Sequence, residues 1–204
     1  MGFWKKHSYQ VVRLFVIQIG IAIFGLVLSF AVQTAFRNRS DWLPLLMVSI
    51  FSVLFYLFLL YSVAWELGGK DRLSRDALHL PPRGETGFIL ALLAGLPNIV
   101  FDLFTLTGGI IFRFGSHRVG SWFVCIGYLP SIFIQSMYQG IVKYFLSVSG
   151  LTETGSTSFY LVAALLFILA TIPAILVTGF GYWMGMHEKR IIPARRANPD
   201  GKNF

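Results

Sequence analysis

Residues 43–65 read LPLLMVSIFSVLFYLFLLYSVAW, a run of 23 residues that contains no charged side chain. An α-helix of about 20 apolar residues is long enough to cross the hydrocarbon core of a bilayer. The run shows no strict alternation of apolar and polar residues, so it does not fit a strand of a membrane barrel. It therefore predicts a transmembrane helix.

Similar stretches recur along the chain. The apolar runs are residues 11–36, 43–65, 87–112, 121–148 and 158–186. Of the 204 residues, 55% are hydrophobic and 13% are charged, whereas a soluble domain is roughly 25% charged. This composition excludes soluble globular, disordered and disulfide-based classes. We expect an all-α, polytopic transmembrane helix bundle, with one membrane domain over residues 1–186 and a basic cytoplasmic tail over residues 187–204.

The basic residues bear on the number of crossings, because cytoplasmic segments of membrane proteins are enriched in Lys and Arg. With five crossings and a cytoplasmic N-terminus, 8 Lys and Arg lie inside and 9 outside. If run 87–112 is re-entrant from the cytoplasmic side, the counts become 14 and 3. If run 121–148 is re-entrant instead, they become 12 and 5. Both re-entrant arrangements place the N-terminus and the tail in the cytoplasm.

Run 87–112 carries a candidate break near its middle, at Leu96, Pro97 and Asn98, with Gly108 and Gly109 towards its far end. A proline lacks a backbone donor and disfavours helix at the residue before it. We expect one of the two central runs to be re-entrant or broken at a proline, and we favour run 87–112. The alternative is a single crossing kinked at Pro97.

A carboxyl side chain lies well inside run 87–112, at Asp102. Inserting a charge at the membrane centre costs about 2.5–3.5 kcal/mol on insertion scales. Asn98, Asp102 and Thr105 are spaced i, i+4 and i+7, so a helix places them on one face. This face is suited to a cation, a proton or an amine. The alternative is that Asp102 is neutral or bonded to a neighbouring helix and serves assembly.

Run 121–148 carries polar residues at every fourth position, Ser131, Gln135, Gln139 and Lys143. A polar stripe of this kind is expected to face the bundle interior, an aqueous path or a partner. Lys143 either extends to the lipid headgroups or pairs with Asp102. The predicted solute or ion site comprises Asn98, Asp102, Thr105, Gln135 and Gln139.

Small residues in the first and last runs predict faces for close helix packing or for docking of a partner subunit. These residues are Ala22, Gly25, Ser29, Ala31, Ala35, Gly181 and Gly185. Packing within the bundle is the expected role, and docking to another subunit is the alternative.

Arrangements typical of catalysis or metal binding are missing from the sequence. The four histidines occur singly, without HExxH or another paired spacing, and Cys125 is the single cysteine. We therefore expect no enzymatic activity, no catalytic residues, no metal and no cofactor. The net charge of +8 comes from basic residues beside apolar runs, a pattern that orients membrane proteins against anionic lipid. The expected partner is the lipid bilayer rather than nucleic acid.

Three segments resemble those of small, uncharacterised multispan membrane proteins of Gram-positive, clostridial-type bacteria. They are WELGGKDR at residues 65–72, LPN at 96–98, and PAIL at 173–176 followed by GYWMG at 181–185. The resemblance implies a bacterial plasma membrane and no particular activity. Ala31 and Ala35 are also similar to the docking alanines of substrate-binding subunits of energy-coupling-factor transporters, which implies a partner subunit.

The sequence thus predicts a small non-enzymatic integral membrane protein, a transport-associated subunit with an intramembrane polar site for a small molecule or an ion. The alternative is a membrane assembly, immunity or scaffold subunit, in which the polar stripes mediate packing of helices or partners.

Overall fold

The computed structural model describes residues 3–36, 43–78, 84–151 and 156–187. Within these ranges the chain is almost entirely helical and has no strand. The helices are α1 (Phe3–Ala35), α2 (Leu43–Ala77), α3 (Thr86–Phe114), α4 (His117–Ile134), α5 (Gln139–Val148) and α6 (Thr157–Met186), with a 3-10 turn at Ser136–Tyr138. The predicted all-α bundle is confirmed. The predicted tail beyond His187 lies outside the described residues.

Four helices, α1, α2, α3 and α6, are long and apolar enough to cross a membrane. Large apolar side chains cover their outer surfaces, including Phe30, Phe58 and Leu169, each about 60% exposed. In water these surfaces would be unfavourable, because contiguous exposed apolar area of this kind is rare on soluble monomers. The chain is therefore an integral, multipass membrane protein.

Close contacts at glycines show the direction in which the helices run. A Cβ added at Gly181 of α6 would lie 2.8 Å from the Tyr61 carbonyl oxygen of α2, and Gly185 lies against Trp65 one turn further along both helices. α2 and α6 are therefore parallel. α3 is antiparallel to α6, because Gly109 contacts Leu161 and Gly179 contacts Phe88.

These contacts define two ends of the bundle. We call the end at which α2 and α6 terminate and α3 begins the proximal end. α1 also begins near this end, where the Arg13 Nη2 atom lies 3.1 Å from the Glu66 Oε2 atom of α2. At the distal end, α1 and α3 end, and α2 and α6 begin.

The pair α4 and α5 starts at the distal end and penetrates to the middle of the bundle. α4 runs antiparallel to α3, with Gly120 against Phe112 near the end of α3 and Gly127 against Thr105 further in. After Ile134 the chain turns, and α5 is inclined to α4 by 79°.

The chain then returns to the distal end, where α6 begins. The five-residue step from Leu151 to Ser156 covers at most about 18 Å, whereas α6 is about 45 Å long at 1.5 Å per residue. The end of α5 therefore lies near the distal start of α6. The pair is a re-entrant hairpin, and the start of α1 and the end of α6 share the proximal end.

The break lies in run 121–148, and the expectation that favoured run 87–112 is wrong. α3 continues through Pro97, as α6 does through Pro173. A proline in a helix removes one backbone hydrogen bond and kinks the helix, whereas a full break frees several groups that must find other partners inside a membrane. Those partners are present around residues 135–140.

Ser49 of α2 supplies two of these partners. Its hydroxyl donates to the Met137 carbonyl oxygen at 2.5 Å and accepts from the Gly140 N–H at 3.0 Å. A third bond runs from the Gln139 amide to the Ile132 carbonyl oxygen at 3.2 Å. Side chains therefore satisfy three of the backbone groups around the break.

The turn packs against α1 on the face that carries Ala22 and Gly25. The Ser136 hydroxyl donates to the Ala22 carbonyl oxygen. A Cβ added at Gly25 would lie 2.9 Å from the Met137 Cα atom, so glycine permits the close approach. All five residues from 134 to 138 are buried, and the turn is therefore part of the core.

The re-entrant geometry predicts which positions react from the same side of the membrane. In a Cys125→Ala background, Ser116→Cys and Ser149→Cys should react with an impermeant maleimide from one side, and Ser74→Cys from the other. All three serines are exposed in the bundle. The measurement is labelling of oriented vesicles from each side, with the cysteine-free protein as control. Labelling of position 149 together with position 74 would show that α4 and α5 form a fifth crossing.

The bonds of Ser49 predict a measurable contribution to stability. Ser49→Ala leaves the Met137 carbonyl and the Gly140 N–H buried without these partners, which should lower the free energy of unfolding by about 1–3 kcal/mol. Ser62→Ala is the matched control, because the exposed Ser62 hydroxyl bonds only to the Phe58 carbonyl of its own helix; it should change stability by less than about 0.5 kcal/mol. Equilibrium unfolding in mixed detergent measures the free energy of unfolding of both variants. Equal losses in the two variants would show that the Ser49 bonds do not stabilise the turn.

Candidate functional site

Asp102 lies at the middle of α3 and is completely buried. Its Oδ1 atom accepts from the Ser131 hydroxyl at 2.6 Å, and its Oδ2 atom accepts from the Gln135 Nε2 atom at 2.8 Å. Ser131 and Gln135 are one helical turn apart at the end of α4. The carboxyl group therefore holds the inner end of α4 against α3.

The predicted alternative partner of Asp102, Lys143, is not joined to it by an ion pair. None of the ion pairs among the described residues includes either side chain. Lys143 is exposed on α5, whereas Asp102 is bonded to neutral groups alone. Any negative charge on Asp102 is therefore balanced by hydrogen bonds, not by a neighbouring cation of the described chain.

Gln135 connects Asp102 to an internal chamber. Its Nε2 atom is held by Asp102, so its Oε1 atom faces away and has no hydrogen-bond partner. Three further residues that line the same space each have a buried polar atom without a hydrogen-bond partner. These atoms are Gln18 Nε2, Asn98 Oδ1 and Tyr138 OH. We call this space the central chamber.

The central chamber has a volume of about 30 Å³ and lies between α1, α2, α3, α6 and the turn after α4. A water-sized site needs about 10–15 Å³, so the chamber has room for one or two water molecules or a single small ion. A buried polar atom without a partner costs about 1–3 kcal/mol. Four such atoms around one space can share a water molecule or an ion, which removes most of that cost.

The structure brings together three of the five predicted site residues, Asn98, Asp102 and Gln135. Thr105 is buried on the same face of α3, but its hydroxyl donates to the Phe101 carbonyl oxygen at 3.0 Å and packs against Gly127. Gln139 lines a different cavity, beside α5. The periodic stripe predicted for run 121–148 is therefore split by the turn.

Of the four chamber residues with an unpartnered polar atom, Gln18 and Tyr138 are missing from the predicted site. Gln18 is the amide nearest the middle of run 11–36, and an amide at that depth is itself an indication of an interior polar site. Tyr138 gave no comparable indication, because its position depends on the turn at residues 135–138, which changes the face that each residue presents.

The predicted packing residues fall into two groups. Ala22, Gly25 and Ser29 are buried, and the first two contact the turn after α4. Gly181 and Gly185 are also buried and lie against the backbone of α2. Ala31 and Ala35 are exposed on α1, so they are not buried packing positions of the described bundle.

Within residues 3–36, 43–78, 84–151 and 156–187, no group of three or more His, Cys, Asp or Glu side chains is placed to hold a metal ion. No protein-family model, curated protein sequence or solved structure matches the chain. Fold and site together define its class: a polytopic, α-helical integral membrane protein with a re-entrant hairpin and a polar chamber inside the bundle.

The bonds of Asp102 predict which substitution destabilises the protein. Asp102→Leu leaves the Ser131 hydroxyl and the Gln135 amide unpaired, and should lower the free energy of unfolding by about 1–3 kcal/mol. Asp102→Asn keeps the shape and an acceptor oxygen, so its effect should be clearly smaller. Thermal unfolding in detergent compares the two variants. Equal destabilisation would show that the charge of Asp102, rather than its hydrogen bonds, stabilises the fold.

Proposed function

We propose that this protein is a transport-associated membrane protein of the bacterial plasma membrane that binds a water-sized cation, either a hydrated proton or a monovalent ion, in the central chamber. The observation that carries the proposal is that four residues lining one small space each have a buried polar atom without a hydrogen-bond partner. One of these atoms belongs to Gln135, which is bonded directly to the buried carboxyl group of Asp102.

The chemistry of the lining favours a cation over an anion. Asn98, Gln135 and Tyr138 line the central chamber, and each has a buried oxygen atom without a partner. Such oxygens are ligands of hard monovalent ions and acceptors for a protonated water. The bond from Gln135 to Asp102 polarises the amide and makes its oxygen a better acceptor, because hydrogen bonds in a chain strengthen one another. The unpartnered atom of Gln18 is its amide nitrogen. A 180° rotation of the side-chain amide would exchange this nitrogen for the amide oxygen, which can bind a cation.

The size of the central chamber limits the ligand. Sites for vitamins and other drug-sized molecules measure about 300–1,000 Å³, whereas this chamber measures about 30 Å³. A vitamin-sized substrate, as in the energy-coupling-factor subunits, does not fit this conformation. The proposal therefore names an ion or a proton rather than an organic solute.

The re-entrant hairpin supports a transport-associated role. Broken helices inside a membrane occur where the backbone is buried in protein or lines a cavity, and they commonly form the solute and ion sites of transporters. Here the turn after α4 contributes Gln135 and Tyr138 to the central chamber. The hairpin also joins the site to the distal end, since both of its helices lead there.

We further propose that the proximal end faces the cytoplasm. With run 121–148 re-entrant, 12 Lys and Arg lie on that side and 5 on the other, which is the asymmetry expected of cytoplasmic segments. The N-terminus and the basic tail are then both cytoplasmic. In intact cells, the impermeant reagent should reach positions 116 and 149 and leave position 74 unlabelled.

A second candidate is an assembly, immunity or scaffold protein. It is favoured by the hydrogen bonds of Asp102, since both carboxyl oxygens are already occupied by Ser131 and Gln135. The exposed pair Ala31 and Ala35 offers a flat strip for a partner helix. In this case the central chamber holds water alone.

Cation binding predicts a ligand-dependent rise in melting temperature, because a ligand that binds the folded state stabilises it. If the ligand is a monovalent ion, we expect K⁺, Na⁺ or NH₄⁺ to raise the melting temperature of the wild type relative to choline at equal ionic strength. If it is a hydrated proton, we expect a fall of pH from 8 to 5 to raise the melting temperature. Asp102→Asn should weaken that binding by roughly ten- to a hundredfold, since a hydrogen bond to a charged group contributes about 1.5–3 kcal/mol and each 1.4 kcal/mol is tenfold.

Asp76→Asn is the matched control, because Asp76 is an exposed carboxyl on α2; it should keep the response of the wild type. A wild-type melting temperature that is independent of all three cations and of pH would remove the cation site and favour the scaffold candidate.

A further inference from the structure

A second cavity lies where α4, α5 and α6 meet, and we call it the elbow groove. It is half-open, and its volume is about 510 Å³, which falls within the range of small-molecule sites. Apolar side chains form most of its lining, including Tyr128 and Ile132 of α4, Leu146 of α5, and Phe159 and Phe167 of α6. Its polar members all come from α5, and they are Gln139, Lys143 and Ser147.

The elbow groove extends over about one leaflet of a bilayer. Phe159 is near the start of α6 at the distal end, and Phe167 is eight residues further along, which is about 12 Å deeper at 1.5 Å per residue. Ile132 lies beside the turn at the middle of the bundle. The hydrocarbon core is about 30 Å thick, so a groove that runs from the distal end to this depth matches the acyl region of a single leaflet.

Lys143 gives the elbow groove a positive charge without a partner of opposite charge among the described residues. It is absent from their ion pairs, and it lies one helical turn from Ser147 on the same face of α5. A cation beside lipid is costly unless it pairs with an anion or reaches the headgroups. An anionic headgroup at the mouth of the groove supplies that pairing, and the Ser147 hydroxyl is placed to donate to the same group.

We propose that the elbow groove binds an anionic phospholipid of the distal leaflet, with one acyl chain along Ile132 and Phe167 and the phosphate at Lys143 and Ser147. A neutral lipid leaves Lys143 unpaired. This site is separate from the central chamber and does not depend on cation binding there.

The test is lipid retention by the purified full chain, measured by native mass spectrometry with phosphatidylglycerol and phosphatidylcholine of identical acyl chains as probes. The wild type should retain one phosphatidylglycerol in preference to phosphatidylcholine. Lys143→Gln should weaken phosphatidylglycerol retention by about fivefold, the effect of one Lys at an anionic lipid surface, and leave phosphatidylcholine unchanged. Lys70→Gln is the control, because Lys70 pairs with Glu66 near the proximal end; it should behave as the wild type.

Ser147→Trp provides a second variant at an exposed position and should fill the mouth of the groove, so that retention of phosphatidylglycerol falls without a change of net charge. Equal retention of the two lipids by the wild type would overturn the proposal. So would unchanged retention in both Lys143→Gln and Ser147→Trp. Displacement of phosphatidylglycerol by equimolar palmitate would also overturn it, since the occupant would then be a free fatty acid.

Discussion

The structure depends on one constraint, which is that every backbone group freed inside a membrane needs a partner within the protein. The chain breaks after Ile134 and resumes as a helix at Gln139. Ser49 of α2 satisfies one backbone group within the turn, at Met137, and one at the start of α5, at Gly140. Gly25 of α1 allows the turn to pack closely against that helix. The hairpin can therefore end in the middle of the bundle instead of crossing it.

The polar chamber is a consequence of the same turn. A continuous helix would place Ser131, Gln135 and Gln139 on one face. The break instead directs Gln135 towards Asp102 and the central chamber, and leaves Gln139 at the elbow groove. One change in backbone direction thus separates a small polar site at the centre from a larger, mainly apolar groove that opens near the distal end.

Much of the fold could be predicted from the sequence, and part of the site as well. Four of the five apolar runs correspond to single helices, because a helix needs only local hydrogen bonds and sufficient length. Asn98 and Asp102 were identified because their i, i+4 spacing fixes a common face in any helix. Gln18 and Tyr138 were not, because their approach depends on how α1 packs against the turn. Pro97 was misleading because a proline removes one backbone hydrogen bond and can kink a helix without ending it, and α3 continues through it.

A membrane-spanning, all-α chain follows from the sequence alone, since hydropathy and helix length are local properties that need no knowledge of neighbours. The sequence also indicated a buried carboxyl group on a polar face. The packing of the helices was needed to show that run 121–148 is the re-entrant one, and that Gln18, Asn98, Gln135 and Tyr138 share one chamber. The physical reason is that a break in a membrane helix is stable only where side chains distant in sequence, such as Ser49, complete its hydrogen bonds.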